Sequence, residues 1–368
     1  MKNGNHRDGT GIDRKLHNPI EDRLIPLESL DLSSVRTVND LVQAMGRTAF
    51  TGRQVGEAAD VLEAMARDTE CFVVMTLSGA MTVAKQSLII ADLIDRGIVN
   101  AIVSTGALMA HGLVEATGRA HFRYNPDVSD TELYEQGYNR VYDTLEPEQN
   151  LDDVEEVMSH VLESWDHSEV LCSYKLNHAI GAYLAKHAKG QRGILKSAYE
   201  KGVPVFVPAF TDSELGLDVA LNNRLRESTG RHKLRFDPFE DLEHFAATLL
   251  RQTKLGIFTI GGGVPRNWAQ QFGPFCELRH RRLGENVPLK RYHYGVRICP
   301  EPVYWGGLSG SPYSEAISWG KFVPPAEGGK FGELFLDATV GLPLVVAAVL
   351  ERLSKGKSAG KKKVGARK

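Results

Sequence analysis

The chain has no cysteine pair at CxxC spacing; its four cysteines, Cys71, Cys172, Cys276 and Cys299, lie far apart. That argues against a zinc knuckle or a disulfide framework and fits a reducing compartment, so a cytoplasmic location is expected. No stretch approaches about 18 uninterrupted apolar residues, so neither a membrane span nor a membrane partner is expected. The polar start, MKNGNHRDGTGIDRK, carries no apolar signal core. Neither sign of charge is in excess, with a net charge of −2, and composition points to no nucleic-acid partner. Motifs are sparse too. The dinucleotide fingerprint GxGxxG is missing. No GxSxG elbow marks a serine hydrolase. The histidines, His111, His121, His160 and His178 among them, show no HxH or HExxH spacing, so no metal site is indicated.

What is present suits a large soluble α/β body: 368 residues, 42% hydrophobic and 24% charged. Cys71–Leu77 is a continuous apolar run, as in a strand buried on both faces. The pattern predicts a helix over 82–96, with Val83, Leu88, Ile89, Leu93 and Ile94 inward and Gly97 as its stop. A strand over 101–105 follows, then a helix from about Leu151 to Trp165 with Asn150 as its cap. A helix near Leu176–His187 and a strand over Pro204–Phe210 come next. Asp237-Pro-Phe-Glu240 opens another helix through a capping box. Strands over 255–260, 294–298 and 333–338 and a last helix over about 342–353 complete the series. Strands alternating with helices imply an α/β, Rossmann-like, doubly wound and mainly parallel sheet in a single large domain, residues 25–354. Residues 1–24 read as a flexible arm and 355–368 as a disordered basic tail.

Ligands of such sheets bind at the carboxyl ends of the strands. Those ends carry Ser78-Gly79, Thr105-Gly106, Asp212-Ser213 and Gly261-Gly262-Gly263, small residues that let backbone amides approach a phosphate. Asp212 and Asp337 could bind a ribose hydroxyl or an amine, or cap the next helix. The stretch Glu315-Ala-Ile-Ser-Trp-Gly-Lys321 has two readings. Lys321 is a solvated lysine beyond a helix closed by Gly320, or a nucleophile whose pKa is lowered between Trp319 and Phe322, with Glu315 as amine ligand or proton carrier.

Several separate motifs in order give the chain a resemblance to the deoxyhypusine synthase family from about Val38 to Leu353. They are Glu315-Ala-Ile-Ser-Trp-Gly-Lys321, Pro208-Ala-Phe-Thr-Asp-Ser-Glu-Leu-Gly216, Ile260-Gly-Gly-Gly-Val264, Gly137-Tyr-Asn-Arg140, Leu334-Phe-Leu-Asp-Ala-Thr339 and Thr48-Ala-Phe-Thr-Gly52. The resemblance implies an NAD-dependent transferase and a homotetramer with sites between subunits. Such enzymes oxidise spermidine, release 1,3-diaminopropane and carry the aminobutyl group on a lysine to an acceptor amine. On this resemblance Lys321 forms the imine. Trp319 walls the polyamine channel, Glu315 pairs with an amine, and Ser309, Asn267 and Asp218 complete substrate binding. Ser78, Gly79, Thr105, Gly106, Asp212, Gly261, Gly262, Gly263, Asp337 and Ala338 would hold NAD.

Departures from the family pattern bear on the acceptor. A His pair after the glycine loop reads Asn267-Trp268, and Asn cannot titrate. Leu217 and Leu308 stand where amine-binding carboxylates are expected, and the acidic end of another segment reads Met109-Ala-His111. The pattern resembles the divergent, bacterial-type deoxyhypusine synthase-like branch, in which putrescine is one acceptor. A protein lysine is the other. The alternatives are an NAD enzyme acting on another amine without a relay, and a non-catalytic NAD- or polyamine-binding regulator.

Overall fold

A computed structural model describes residues 17–166 and 168–364, with side chains through Lys355. Of the expected arm, residues 1–16 lie outside the described residues; of the expected tail, so do 365–368 and the side chains from 356 onward.

Among the described residues, nine strands form two sheets: β1 (Cys71–Leu77), β2 (Ala101–Ser104), β3 (Phe122–Arg123), β4 (Tyr138–Val141), β5 (Thr144–Pro147), β6 (Val205–Phe206), β7 (Lys254–Ile260), β8 (Tyr292–Ile298) and β9 (Lys330–Leu334). The main sheet has six strands in the order β6-β2-β1-β7-β8-β9, and every pairing in it is parallel. From β1 the chain winds one way to β2 and β6; from β7 it winds the other way to β8 and β9. The order therefore reverses between β1 and β7, which makes their carboxyl ends the expected ligand crevice.

Both faces of this sheet are covered, which is why its central strands β1 and β7 are mainly apolar. On β1, Val73, Met75 and Leu77 enter one core with Phe258 and Ile260 of β7. Val74 enters the other with Leu255 and Ile257. The first core is closed by helices that include Val38–Gly46, Phe50–Arg67, Ser87–Asp95, Gly106–Ala116 and Ala338–Val364. The second lies under Pro238–Leu250, Gly263–Gln270, Phe272–Leu283 and Tyr313–Ser318. Full burial of each Leu, Ile or Val contributes roughly 1.5–3 kcal/mol. The Lys321 segment belongs to the second face.

Several elements differ from expectation. The helix expected over 82–96 begins at Ser87, and Leu88 points outward at 52% exposure while Ile90 is buried. Lys85, at φ 62°, breaks the helical path before it. The helix expected from Leu151 starts at Glu148, so Asn150 is inside it rather than capping it. Its buried amide instead donates to the Ala120 carbonyl at 3.0 Å. The strand expected over 204–210 pairs only at Val205–Phe206. The expected strand at 333–338 lies earlier, at Lys330–Leu334, and the last helix runs on to Val364. Asp237 does cap its helix, accepting from Phe239 N at 2.9 Å, with Pro238 at the first position. The small antiparallel sheet β3-β5-β4 was not anticipated.

Gly295 of β8 is in contact with the ring of Tyr313, which opens the helix carrying Glu315. A Cβ at Gly295 would meet the Tyr313 ring at 2.8 Å. Gly295→Ala is expected to cost about 1–3 kcal/mol by overpacking, read as a lower urea midpoint with unchanged m-value. It also displaces the Tyr313 helix and the lysine behind it.

Candidate functional site

Lys321 is positioned by a short helix and two anchors. The helix Tyr313–Ser318 ends at Trp319, and Gly320 turns the chain in the left-handed region at φ +67°. Lys321 N then donates to Ala316 O at 3.2 Å, and its carbonyl accepts from Tyr292 N at 3.0 Å. Phe322 is fully buried, 4.7 Å from the Tyr313 ring and 5.5 Å from the Tyr292 ring. Phe322 was expected to wall the lysine. It anchors the backbone in the core instead, while Lys321 lines a separate cavity.

That cavity, of about 360 Å³, lies between the helix Gly263–Gln270 and the loop 303–311. Arg266, Asn267, Gln270, Leu308, Glu315 and Trp319 line it with Lys321. Lys321 Nζ stands 3.5 Å from Asn267 Oδ1 and 5.8 Å from the centre of the Trp319 ring, a favourable cation–π placement when charged. Trp319 is 63% exposed, so it forms a rim rather than a buried wall. Burial, and then the positive charge of Arg266, hold the Lys321 pKa below the ordinary lysine value, against an opposing pull from Glu315. A larger share of neutral amine at neutral pH is what a nucleophilic lysine needs.

Arg266 was not anticipated from sequence. It is buried, and its guanidinium donates to the carbonyls of Leu308 (3.0 Å), Ser309 (3.3 Å) and Ser311 (2.6 Å). Arg297, equally buried, donates to Ser309 O and Ser311 O at 2.7 and 3.0 Å and to Glu333 Oε2 at 2.7 Å. Glu333 Oε1 in turn accepts from Tyr313 N at 3.0 Å. The two arginines thus hold the loop over the cavity. Only Arg297 has a carboxylate partner among the described residues.

The expected cofactor residues gather at the carboxyl edge, apart from the lysine cavity. Gly261 N donates to Ile298 O at 2.9 Å, Gly262 N to Ser78 Oγ at 2.8 Å and Gly263 N to Ser309 Oγ at 3.0 Å. A Cβ on Gly262 would meet Ser309 Cα at 2.5 Å, and one on Gly106 would meet Ser213 Oγ at 2.2 Å. These glycines therefore let the strand ends and the 309 loop close on one another. The amides of Gly261, Gly262 and Gly263 are engaged rather than free for a phosphate. The helices starting at Gly106 and Gly263 still direct their positive ends at this edge. Asp337 caps the helix after β9, its Oδ1 accepting from Thr339 N at 2.8 Å, and Asp212 is exposed. Ser309 belongs with the glycine turn and does not line the cavity.

Asp218 lies elsewhere, on the helix Glu214–Ser228, and is absent from the residues lining the lysine cavity. Burial, with repulsion from Glu155 and Glu214, pushes its pKa up to about 6.

Two predictions follow from these charges. Arg266→Met removes the positive neighbour, so the Lys321 pKa rises. The pH at which Lys321 becomes reductively methylated, read by peptide mass spectrometry, is expected to move upward. For Asp218, the raised pKa means the folded state holds a proton that the unfolded state has lost between pH 3.8 and about 6. Its contribution to stability is intact below 3.8 and is lost as pH rises through 6. Asp218→Asn should therefore stabilise the chain by about 1–2 kcal/mol above pH 6, after allowance for solvent screening, and have no effect near pH 4, in paired urea titrations.

Comparison with known proteins agrees with this architecture. The deoxyhypusine synthase family profile matches residues 40–349. A probable deoxyhypusine synthase 2 of Methanosarcina mazei is 32% identical over 329 residues, 89% of this chain and 90% of the relative. A probable deoxyhypusine synthase 1 of Archaeoglobus fulgidus is 33% identical, covering 86% and 94%. A deoxyhypusine synthase-like protein of Chlorobaculum tepidum is 32% identical, covering 87% and 88%. Among solved structures, an Entamoeba histolytica protein assigned as a deoxyhypusine synthase superposes with a TM-score of 0.57 at 15% identity, over 88% of this chain and 97% of that one. It supports the fold. No helix of the described residues is long and apolar enough to cross a membrane. With its doubly wound sheet and its lysine cavity, the chain belongs to the deoxyhypusine synthase family.

Proposed function

We propose that the chain is an NAD-dependent aminobutyltransferase, acting on spermidine or a related polyamine through Lys321, with residues 25–354 working as one unit. The observation that carries this reading is Lys321 itself, half-buried beside Arg266 with its pKa lowered, at the position where the family has its imine-forming lysine. NAD supplies the hydride acceptor and, once reduced, the hydride donor. Loss of hydride from a carbon beside the secondary amine leaves a C=N bond. The neutral Lys321 amine adds to that carbon, 1,3-diaminopropane leaves, and the four-carbon group stays on Lys321 as an imine. An acceptor amine then displaces Lys321, and return of the hydride gives the saturated product. Glu315 pairs with an ammonium end of the substrate, Trp319 covers the chain at the rim, and Asn267 orients the Lys321 amine.

The carboxyl edge suits NAD in position and charge: it lies at the β1/β7 reversal, and two helix starts face it. In this reading Ser78, Gly79, Thr105, Gly106, the Gly261–Gly263 turn and Ala338 line the cofactor, while Asp212 and Asp337 meet its hydroxyls. A homotetramer accords with the exposed apolar rim formed by Val264, Tyr304, Trp305, Leu308 and Trp319. A partner subunit would cover it and add polyamine ligands such as Asp218, which one chain keeps away from Lys321. Putrescine, giving homospermidine, is the favoured acceptor, because Leu217 and Leu308 replace carboxylates of the family pattern; a protein lysine, giving deoxyhypusine, is the other. A second reading, oxidation of a different amine without a relay, draws on Asn267, which cannot move the proton a histidine would.

The test is incubation with NAD, spermidine and putrescine, followed by amine chromatography. The expected products are 1,3-diaminopropane and homospermidine, with Lys321→Arg lowering both roughly a thousandfold or more. NADH formation without diaminopropane would favour the second reading, and full turnover by Lys321→Arg would remove the lysine from the mechanism.

A further inference from the structure

We propose that His111, His121 and Glu146 form a buried site for a divalent cation of the zinc type, tying the small β3-β5-β4 sheet to the helix Gly106–Ala116. The three come from separate elements: His111 from that helix, His121 from the link before β3, and Glu146 from β5. Their side chains are 17%, 1% and 2% exposed. One nitrogen of each imidazole and a carboxylate oxygen of Glu146 lie within 4.8 Å of one another.

A lone carboxylate at this depth needs positive compensation, and among the described residues no lysine or arginine pairs with Glu146. His111 Nδ1 is 2.6 Å from Glu146 Oε2 and His121 Nε2 is 3.5 Å from Oε1. The second separation is at the outer limit of a hydrogen bond, and both His121 Nε2 and Glu146 Oε1 are buried without a hydrogen-bond partner. An ion held at about 2.0–2.2 Å from each donor separates neighbouring donors by about 3–3.5 Å, so the side chains would have to shift by up to about 1–2 Å to close on it. Two imidazoles and one carboxylate are a donor set that zinc accepts. The outer environment of His111 fits as well. Its Nε2 faces Glu214 Oε1 at 4.0 Å, a charge contact that a small approach would turn into the carboxylate bond a ligating histidine makes with its second nitrogen.

Lys85 opposes the ion. Its Nζ is 2.9 Å from His121 Nδ1 and 2.9 Å from Glu115 Oε1. An ammonium at Nδ1 keeps the histidine proton on Nε2, the atom that would ligate. Lys85 is 45% exposed, so it can turn from His121 while keeping Glu115. Metal and lysine thus compete for one imidazole.

The test uses the full chain, dialysed against chelator and titrated with zinc against a chromophoric competitor, with cobalt absorption as a second readout. One ion per chain is expected. Glu146→Gln and His121→Gln should weaken binding by about a hundredfold or more, and Glu214→Gln by roughly tenfold. Lys85→Met should tighten it. Circular dichroism checks the fold of each variant; should a ligand variant fail to fold, the partly exposed Glu214 and Lys85 variants decide the matter. Failure of the wild-type chain to take up a stoichiometric ion overturns the proposal, as does wild-type affinity in folded Glu146→Gln. These readouts need no turnover, so they stand apart from the fate of the aminobutyltransferase reading.

Discussion

Two buried guanidinium groups, Arg266 and Arg297, hold the lysine site together. Both donate to the carbonyls of Ser309 and Ser311, so one short loop is fixed from the helix after β7 and from β8. The held segment, Ser309-Gly310-Ser311, has little apolar surface to bury, and its carbonyls need donors once covered. The arginines supply them, and the charge comes with them. Arg297 is compensated by Glu333. Arg266 has no carboxylate ion-pair partner among the described residues, and its positive charge falls on the cavity that contains Lys321. Loop architecture and lysine chemistry therefore share one cause.

Strands β1 and β7 were legible because burial on both faces leaves a run of apolar residues. The crevice between them followed from the small residues at their ends. Helix starts were less secure. Asp237 acts at the cap because Pro238 can only begin a helix there, whereas Asn150 looked like a cap yet is drawn inside to the Ala120 carbonyl. Leu88 faces out because Lys85, at positive φ, delays the start of the helix and rotates the apolar stripe. The small sheet escaped detection for a different reason. Its strands are two to four residues long, with β3 and β4 largely exposed, so no periodicity accumulates.

Local motifs revealed Lys321 and Trp319, which are two residues apart. They could not reveal the side chains that give the lysine its chemistry. Arg266 is 55 positions before Lys321, and Glu146 is 35 beyond His111. A histidine-spacing search sees only ligands on one helix or hairpin. Ligands drawn from a helix, a link and a short strand leave no such trace, and neither does a guanidinium bound to carbonyls. Conversely, Asp218 matched a motif shifted by one residue and looked like a ligand of the lysine site. Within one chain it sits among other acids, where its raised pKa reflects repulsion and burial.

The lysine cavity is also short of proton carriers. Of the residues that line it, Arg266, Glu315 and Lys321 are ionisable, and a guanidinium does not deprotonate in a protein. With Asn267 in the place of a histidine, the amide can orient Lys321 but cannot take its proton. In the proposed aminobutyl transfer, proton traffic during imine exchange would be confined to Lys321, Glu315, the incoming amine and water. Such an arrangement suits an acceptor that brings its own neutral amine within reach. It also makes the lowered pKa of Lys321 more consequential than it would be beside an imidazole, because Glu315 is the one ionisable carboxylate lining the cavity to take a proton from a lysine that arrives charged.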